Sequence, residues 1–364
     1  QEVEIARALS YDPLVFIMDE PSSALSRVEI ENLYALVRRL RKHGVAIIYI
    51  THKLEEVFAL ADRVTVLRDG KVVGTYAITE LDMPTLIERM TGKPVSKDMA
   101  GTARAVAAGP TMLEVEHLSA PGLFEDVSFA VPKGAVVGIA GVIGAGKSEL
   151  ARALVGALPV GSHITGRVRF DGVTIDLNAM NPNRARRIGI GFVSEDRQRE
   201  GVVQDQSVLF NIILPALRRV SVAFTVVAAR ARRLVTGVID DVGLRPREPD
   251  KVVRFLSGGN QQKVVVGKWL AAQSRLLILD EPTRGIDVGA RAELYKVIRS
   301  LAREGGLGVL LLSSDLREVL IACDEILVMV QGRITRKVLP GEVTERDLLD
   351  MVLASHQATA GAPA

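Results

Sequence analysis

The sequence predicts an α/β fold, a parallel or mixed sheet flanked by helices with a largely helical stretch set into it, and three observations predict it. A glycine-rich loop stands between an apolar strand and a helix start at Gly141-Val142-Ile143-Gly144-Ala145-Gly146-Lys147-Ser148. A strand, helix, strand pattern occurs twice, early and late in the chain. The composition, 48% hydrophobic and 24% charged over 364 residues, is ample for a core and suggests two domains.

The loop fits G-x-x-x-x-G-K-[ST] with no substitution at its fixed positions. Before it, Ala135-Val136-Val137-Gly138-Ile139-Ala140 is an apolar run suited to a buried parallel strand, bounded upstream by Pro132 and Gly134. After it, Glu149 to Leu154 reads as the opening of a helix, with Gly156 an interruption. Glycines let the backbone curl until its N–H groups converge on phosphate oxygens, and the helix dipole adds to that field. Lys147 supplies a point charge, and the Ser148 hydroxyl is placed for the magnesium that accompanies phosphates. These residues read as a nucleotide site. A dinucleotide-binding loop is the weaker rival, because the glycines are not spaced G-x-G-x-x-G.

Composition narrows the partners. A net charge of +3 permits a nucleic-acid or membrane-surface contact without demanding one. The arginine clusters Arg184-Ala185-Arg186-Arg187 and Arg230-Ala231-Arg232-Arg233 have no interleaved aromatics to stack on bases, so they read as solvated helix faces and no nucleic acid is expected. Cys323 is the only cysteine, which excludes an internal disulfide and favours a reducing compartment. No apolar run approaches the roughly 18 residues that span a bilayer, so service to a membrane would go through a partner.

Taken in order, the chain shows an internal duplication. Val15-Phe16-Ile17-Met18-Asp19-Glu20-Pro21 returns as Leu276-Leu277-Ile278-Leu279-Asp280-Glu281-Pro282. Each copy continues with a helical stretch, Val28 to Arg41 and Ala290 to Arg303, and then an apolar strand, Val45 to Ile50 and Leu307 to Leu312. Thr51-His52 then pairs with Ser313-Ser314, and a third run follows, Val64 to Leu67 and Ile326 to Met329. A short helix near Met83 to Met90 closes the first copy. Residues 1–91 thus read as the rear part of one domain, 92–111 as an Ala/Gly-rich linker, 112–353 as a complete domain and 354–364 as a disordered tail. In the second domain Met112 to Glu116 and Val127 to Val131 read as strands, and about Ser207 to Gly243 as helical. Residues 112–261 have no counterpart in the first copy, so the expectation is of a chain cut short at its front.

Leu256-Ser257-Gly258-Gly259-Asn260-Gln261-Gln262 is similar to the signature of ABC-type ATPases. The following Lys263 to Leu270, Asp280 to Ala290 and the Q-loop variant Ser194-Glu195-Asp196-Arg197 resemble the sugar-importer branch of that family. The resemblance covers Gln1 to about Leu353 and points to the ATPase subunit of ribose- or galactose-type importers, with two nucleotide-binding domains on one chain.

The resemblance implies an ABC-type phosphate-loop fold and an ATPase using ATP and magnesium. Gly141, Gly144, Ala145, Gly146, Lys147 and Ser148 would hold the β- and γ-phosphates, with Ser148 and Asp280 around magnesium and Glu281 as general base. Asp19, Glu20 and His52 would play the metal, base and γ-phosphate switch roles in the first copy. The switch position is Ser314 in the second copy, and the Q-loop position is Glu195, which puts turnover there in question. The aromatic that the resemblance implies for stacking on adenine is not evident near Ala120-Pro121, where Phe124 is a candidate. Ser257, Gly258 and Gly259 would complete a site on another lobe, so the chain alone is expected to bind ATP and cleave it poorly, unless two copies pair their second domains. Implied partners are integral membrane permeases, touched around Ser207 to Leu217, and through them an external sugar-binding protein, which places the chain on the cytoplasmic face of the membrane. Two other classes stay open, a soluble twin ATPase in translation or repair and a nucleotide-binding regulatory module. The first is expected to carry a long charged linker or a nucleic-acid insertion.

Overall fold

Strands without a polar face need cover on both sides, and that requirement shapes the second half of the molecule. In the computed structural model, which describes residues 7, 13–22, 27–51, 53–68, 70–91 and 109–359, the chain falls into two compact units, a smaller one made chiefly of residues 1–96 and a larger one made chiefly of residues 97–364. The main sheet of the larger unit runs Ile190–Val193, Leu276–Asp280, Gly308–Ser313, Val136–Ala140, Glu325–Val330 and Arg333–Val338. The first five are parallel and the last is antiparallel. Every residue of the three central strands is buried.

Alternation distributes those side chains between two cores. Leu277, Leu279, Val309 and Leu311 pack with the helices, while Leu276, Ile278, Leu310 and Leu312 pack onto the second layer. That layer is an antiparallel sheet of Phe124–Pro132, Thr111–Ala120, Thr165–Phe170 and Val173–Ile175. Each such aliphatic side chain contributes about 1.5–3 kcal/mol on burial. Register brings the strand ends level, Asp280 opposite Leu312 and Ser313 opposite Ala140, so the loops that follow them gather at one edge.

The expected helical stretch divides into Val208–Ile213, Leu217–Val220 and Ala228–Asp241. A hairpin of Ser221–Val222 and Thr225–Val226 interrupts it, too short for alternation to reveal. Gly156 ends the helix Lys147–Val155 in a left-handed cap, φ 68°.

In the smaller unit Val15–Asp19 pairs in parallel with Ala46–Ile50, and the helix Arg27–Lys42 contributes Leu33 and Val37 to a core with Phe16 and Met18. A second cluster, centred on Leu54, Val66 and Leu86, joins the helices Leu54–Leu60 and Met83–Thr91 to the hairpin Arg63–Arg68 with Lys71–Ala77.

Two boundaries differ from expectation. A strand begins at Thr111, and of the rest of the expected linker only 109 and 110 are described, while 92–108 lie outside the described residues. The tail is not irregular from 354 onward, because the helix Glu345–Thr359 runs through Ala354. Leu348 and Val352 are fully buried on it, and once a helix is nucleated further turns add at little cost.

Candidate nucleotide site

The strand Val136–Ala140 ends at Gly141, where an added Cβ would meet the Met329 carbonyl oxygen at 2.5 Å. Gly146 has φ 94°, and a Cβ there would meet the Leu123 carbonyl oxygen at 2.8 Å. Only glycine fits either place. The helix Lys147–Val155 starts directly at Gly146 with no side-chain cap, so its first N–H groups stay directed at the loop.

Lys147 is 4% exposed, and its Nζ donates to the Gly141 and Val142 carbonyls at 2.7 and 3.0 Å. Glu281 Oε1 lies 3.6 Å from the same nitrogen. Burial lowers the Lys147 pKa, while Glu281 and Asp280 oppose that shift. The Ser148 hydroxyl donates to Asp280 Oδ1 at 3.0 Å. Asp280 is 1% exposed, its Oδ2 has no hydrogen-bond partner among the described residues, and burial is the main cause that pushes its pKa up to about 6. A buried carboxylate oxygen without a partner, beside a hydroxyl, fits a hard divalent cation. Two protein ligands are what magnesium needs when water and phosphate supply the rest.

Glu281 follows that strand in a left-handed conformation, φ 47°, with its N–H donating to the Leu312 carbonyl at 2.9 Å. Non-glycine residues hold such angles only where the surroundings over-determine them. Both carboxylate oxygens are held, Oε1 by the Ser314 N–H at 2.8 Å and Oε2 by the Ser314 hydroxyl at 3.2 Å. Lys147, Ser148, Asp280, Glu281 and Ser314 therefore form one cluster at the carboxyl edge of the sheet.

The other expected residues lie apart from it in their bonding. Glu195 ion-pairs with Arg284, and Arg197 donates to the Arg284 and Gly285 carbonyls at 2.6 and 3.0 Å. Sequence pattern alone assigns Arg197 no partner. Ser257 caps the helix Gly258–Ala271, accepting from Asn260. Gly258 lies against Arg197 and the Gly285 carbonyl, so a Cβ would meet that guanidinium at 2.7 Å. Among the described residues no hydrogen bond joins Ser257 to the phosphate loop. Asp19 and Glu20 stand at an exposed strand end, Glu20 with φ 44° and its N–H on the Ile50 carbonyl. His52 lies outside the described residues. Phe124 corrects an expectation: it is 3% exposed and built into the core between the two sheets, because it opens a strand rather than a loop, so its ring offers no face to adenine.

Comparison with known proteins follows the same lines. The ABC transporter family model matches residues 124–284. The chain is 44% identical over 354 residues to a ribose import ATP-binding protein of Chelativorans sp. BNC1, covering 97% of this chain and 69% of that protein. It is 39% identical over 351 residues to the ribose import ATP-binding protein of Bacillus subtilis, covering 96% of this chain and 70% of that one. Among solved structures, a Clostridium perfringens protein that is part of an ABC transporter complex superposes with a TM-score of 0.53 at 25% identity. That match covers 69% of this chain and 97% of the other.

Proposed function

The chain belongs to the ABC transporter family, among the ribose import ATP-binding proteins, and on that premise we propose how its residues bind and cleave ATP. It is an ATP-binding and ATP-hydrolysing component of ATP-driven sugar import. Amides from Gly144 to Ser148 and the Lys147 ammonium take the β- and γ-phosphates. Ser148 and Asp280 would hold magnesium, whose charge offsets that of the phosphates. Glu281 orients the attacking water and accepts its proton, and Ser314 aims that carboxylate through two hydrogen bonds. Positioning and charge neutralisation are what phosphoryl transfer chiefly requires. The observation that carries the reading is the buried Asp280 oxygen, unpartnered among the described residues, beside Ser148 at the first turn of the phosphate-loop helix.

In this reading Ser257, Gly258 and Gly259 complete a site on another lobe, which a second copy of the larger unit can supply. The duplicated residues 1–91 belong to a first domain of the same kind, with Asp19, Glu20 and His52 in the corresponding roles. Phe210, Leu214 and Leu217 are 37%, 45% and 39% exposed along three successive short helical elements, an apolar exposure that suits the permease contact. No helix among the described residues is long and apolar enough to cross a membrane, and a peripheral place on the cytoplasmic face follows from that contact. An external sugar-binding protein is met only through the permease.

Calorimetry of the purified chain with ATP and magnesium tests the assignment. Lys147→Ala should weaken binding at least about a hundredfold by removing charge-assisted contacts to phosphate. Unchanged affinity in that variant overturns it.

A further inference from the structure

The active-site carboxylate Glu281 is held by Ser314, but nothing so far holds Ser314. Its neighbour Ser313 ends the central strand Gly308–Ser313 and is fully buried. The Ser313 hydroxyl donates to Glu318 Oε2 at 2.6 Å. Glu318 is 1% exposed and sits in the first turn of the helix Leu316–Ala322. The Thr283 hydroxyl, two residues after Glu281, faces the same carboxyl.

The smaller unit repeats this arrangement. Glu56 is 2% exposed and accepts from the Thr51 hydroxyl at 3.1 Å and the Tyr49 hydroxyl at 2.9 Å, both on Oε2, while the Ser22 hydroxyl donates to Oε1. Glu56 and Glu318 are 262 positions apart, as are Thr51 and Ser313, and Ser22 precedes Thr283 by 261. Tyr49 corresponds to Leu311, and Lys53, whose Nζ lies 3.7 Å from Glu56, corresponds to Asp315. The surroundings have therefore diverged in size and charge. The buried glutamate, and its acceptance of a hydroxyl at the strand's end, persist in both units.

A buried carboxylate is costly unless it is satisfied, so its retention in two different surroundings calls for a reason beyond packing. We infer that Glu318 is a positioning residue: by taking the Ser313 hydroxyl it fixes the turn at the end of the strand, and that turn presents the Ser314 N–H and hydroxyl to Glu281. Glu56 takes the Thr51 hydroxyl in the same way. The protonation of Glu318 accords with this role. Burial, and after it the charges of Asp315 and Glu281, push its pKa up to about 8 against the opposing hydrogen bond from Ser313, so the group is chiefly neutral at neutral pH. A neutral carboxyl beside Glu281 fixes the turn without adding a second full charge at the site.

The inference rests on the ATPase reading for its consequence in turnover, but not for its geometry. Its test is amide hydrogen exchange on the full chain without nucleotide, read by NMR or mass spectrometry. In Glu318→Ala the Ser314 amide should exchange at least about tenfold faster, the effect of loosening its hydrogen bond to Glu281. Amides of Gly308 to Leu312 should keep their protection. Glu318→Gln, whose side-chain oxygen still accepts from Ser313, should retain wild-type exchange at Ser314. Should the alanine variant not fold, Ser313→Ala carries the same expectation with Glu318 in place. Unchanged Ser314 exchange, acceleration spread evenly through the strand, or a glutamine variant as fast as alanine would each overturn the inference. Failure of the chain to bind ATP would instead sink the ATPase reading and leave this result standing.

Discussion

The strand Leu276–Asp280 and its earlier copy Val15–Asp19 have nearly the same residue pattern and different fates. In the larger unit all five residues are buried, whereas in the smaller one only Phe16 and Met18 are. The difference falls on one face. Ile278 and Leu310 are fully buried against the antiparallel sheet, and their equivalents Ile17 and Ile48 are 64% and 51% exposed. The opposite face, Phe16 and Met18 or Leu277 and Leu279, is covered in both. An apolar run states that a strand can be buried on two faces. Whether it is depends on a second layer, and residues 111–175, which build that layer, have no counterpart in residues 1–91.

Substitution on the divergent face gives the largest contrast. Ile278→Asp should cost about 4 kcal/mol or more by burying a charge, while Ile17→Asp should stay within about 1 kcal/mol. Urea denaturation followed by circular dichroism measures both, and equal losses would break the comparison.

The buried glutamate comes next. Glu318 has a folded pKa of about 8 against 4.5 for the free side chain, so the folded state retains a proton that the unfolded state releases between those values. Its favourable contribution is fully present below pH 4.5 and is lost as pH rises through 8. Glu318→Gln cannot titrate, so it should flatten that part of the stability profile and exceed wild type at pH 9 by on the order of 5 kcal/mol. Thermal melts from pH 4 to 9 would show it, and parallel profiles would exclude it.

The paired aspartates sharpen the comparison at the site. Asp280 is bonded to Ser148, whereas the smaller unit contains no phosphate loop. Asp280→Asn should weaken magnesium-dependent ATP binding roughly tenfold, and Asp19→Asn should leave it within about twofold. Calorimetry distinguishes them. The smallest effect is expected at the switch position, which is His52 in one copy and Ser314 in the other. Ser314→Ala removes the hydroxyl bond to Glu281 but keeps the N–H bond, so ATP turnover should fall by no more than about fivefold.

Much of the site could be read before any coordinates. The spacing from Gly141 to Ser148 demands a strand before it and a helix after it, and both are there. The carboxylates Asp280 and Glu281 close an apolar run, which places them at a strand end because a buried strand can release polar groups only where it leaves the sheet. Phe124 misled, since an aromatic after a Pro-Gly turn can open a strand as well as a loop. The roles of Arg197 and Glu318 were hidden because their partners, Gly285 and Ser313, are set by how separate elements pack.

What the sequence by itself determined is the local chemistry: a phosphate-cradling turn, a pair of carboxylates at a strand end, and a duplicated strand, helix, strand unit. Those follow from backbone sterics and from the periods of two and of 3.6, which act within a few residues. Only the tertiary structure decided which faces are dry, that Ser314 grips both oxygens of Glu281, and that Asp280 keeps an oxygen unpartnered among the described residues. Those outcomes depend on register between strands that are distant in the chain, Leu276 beside Gly308 and Val136 beside Val309, where a shift of one residue would turn every side chain to the other face.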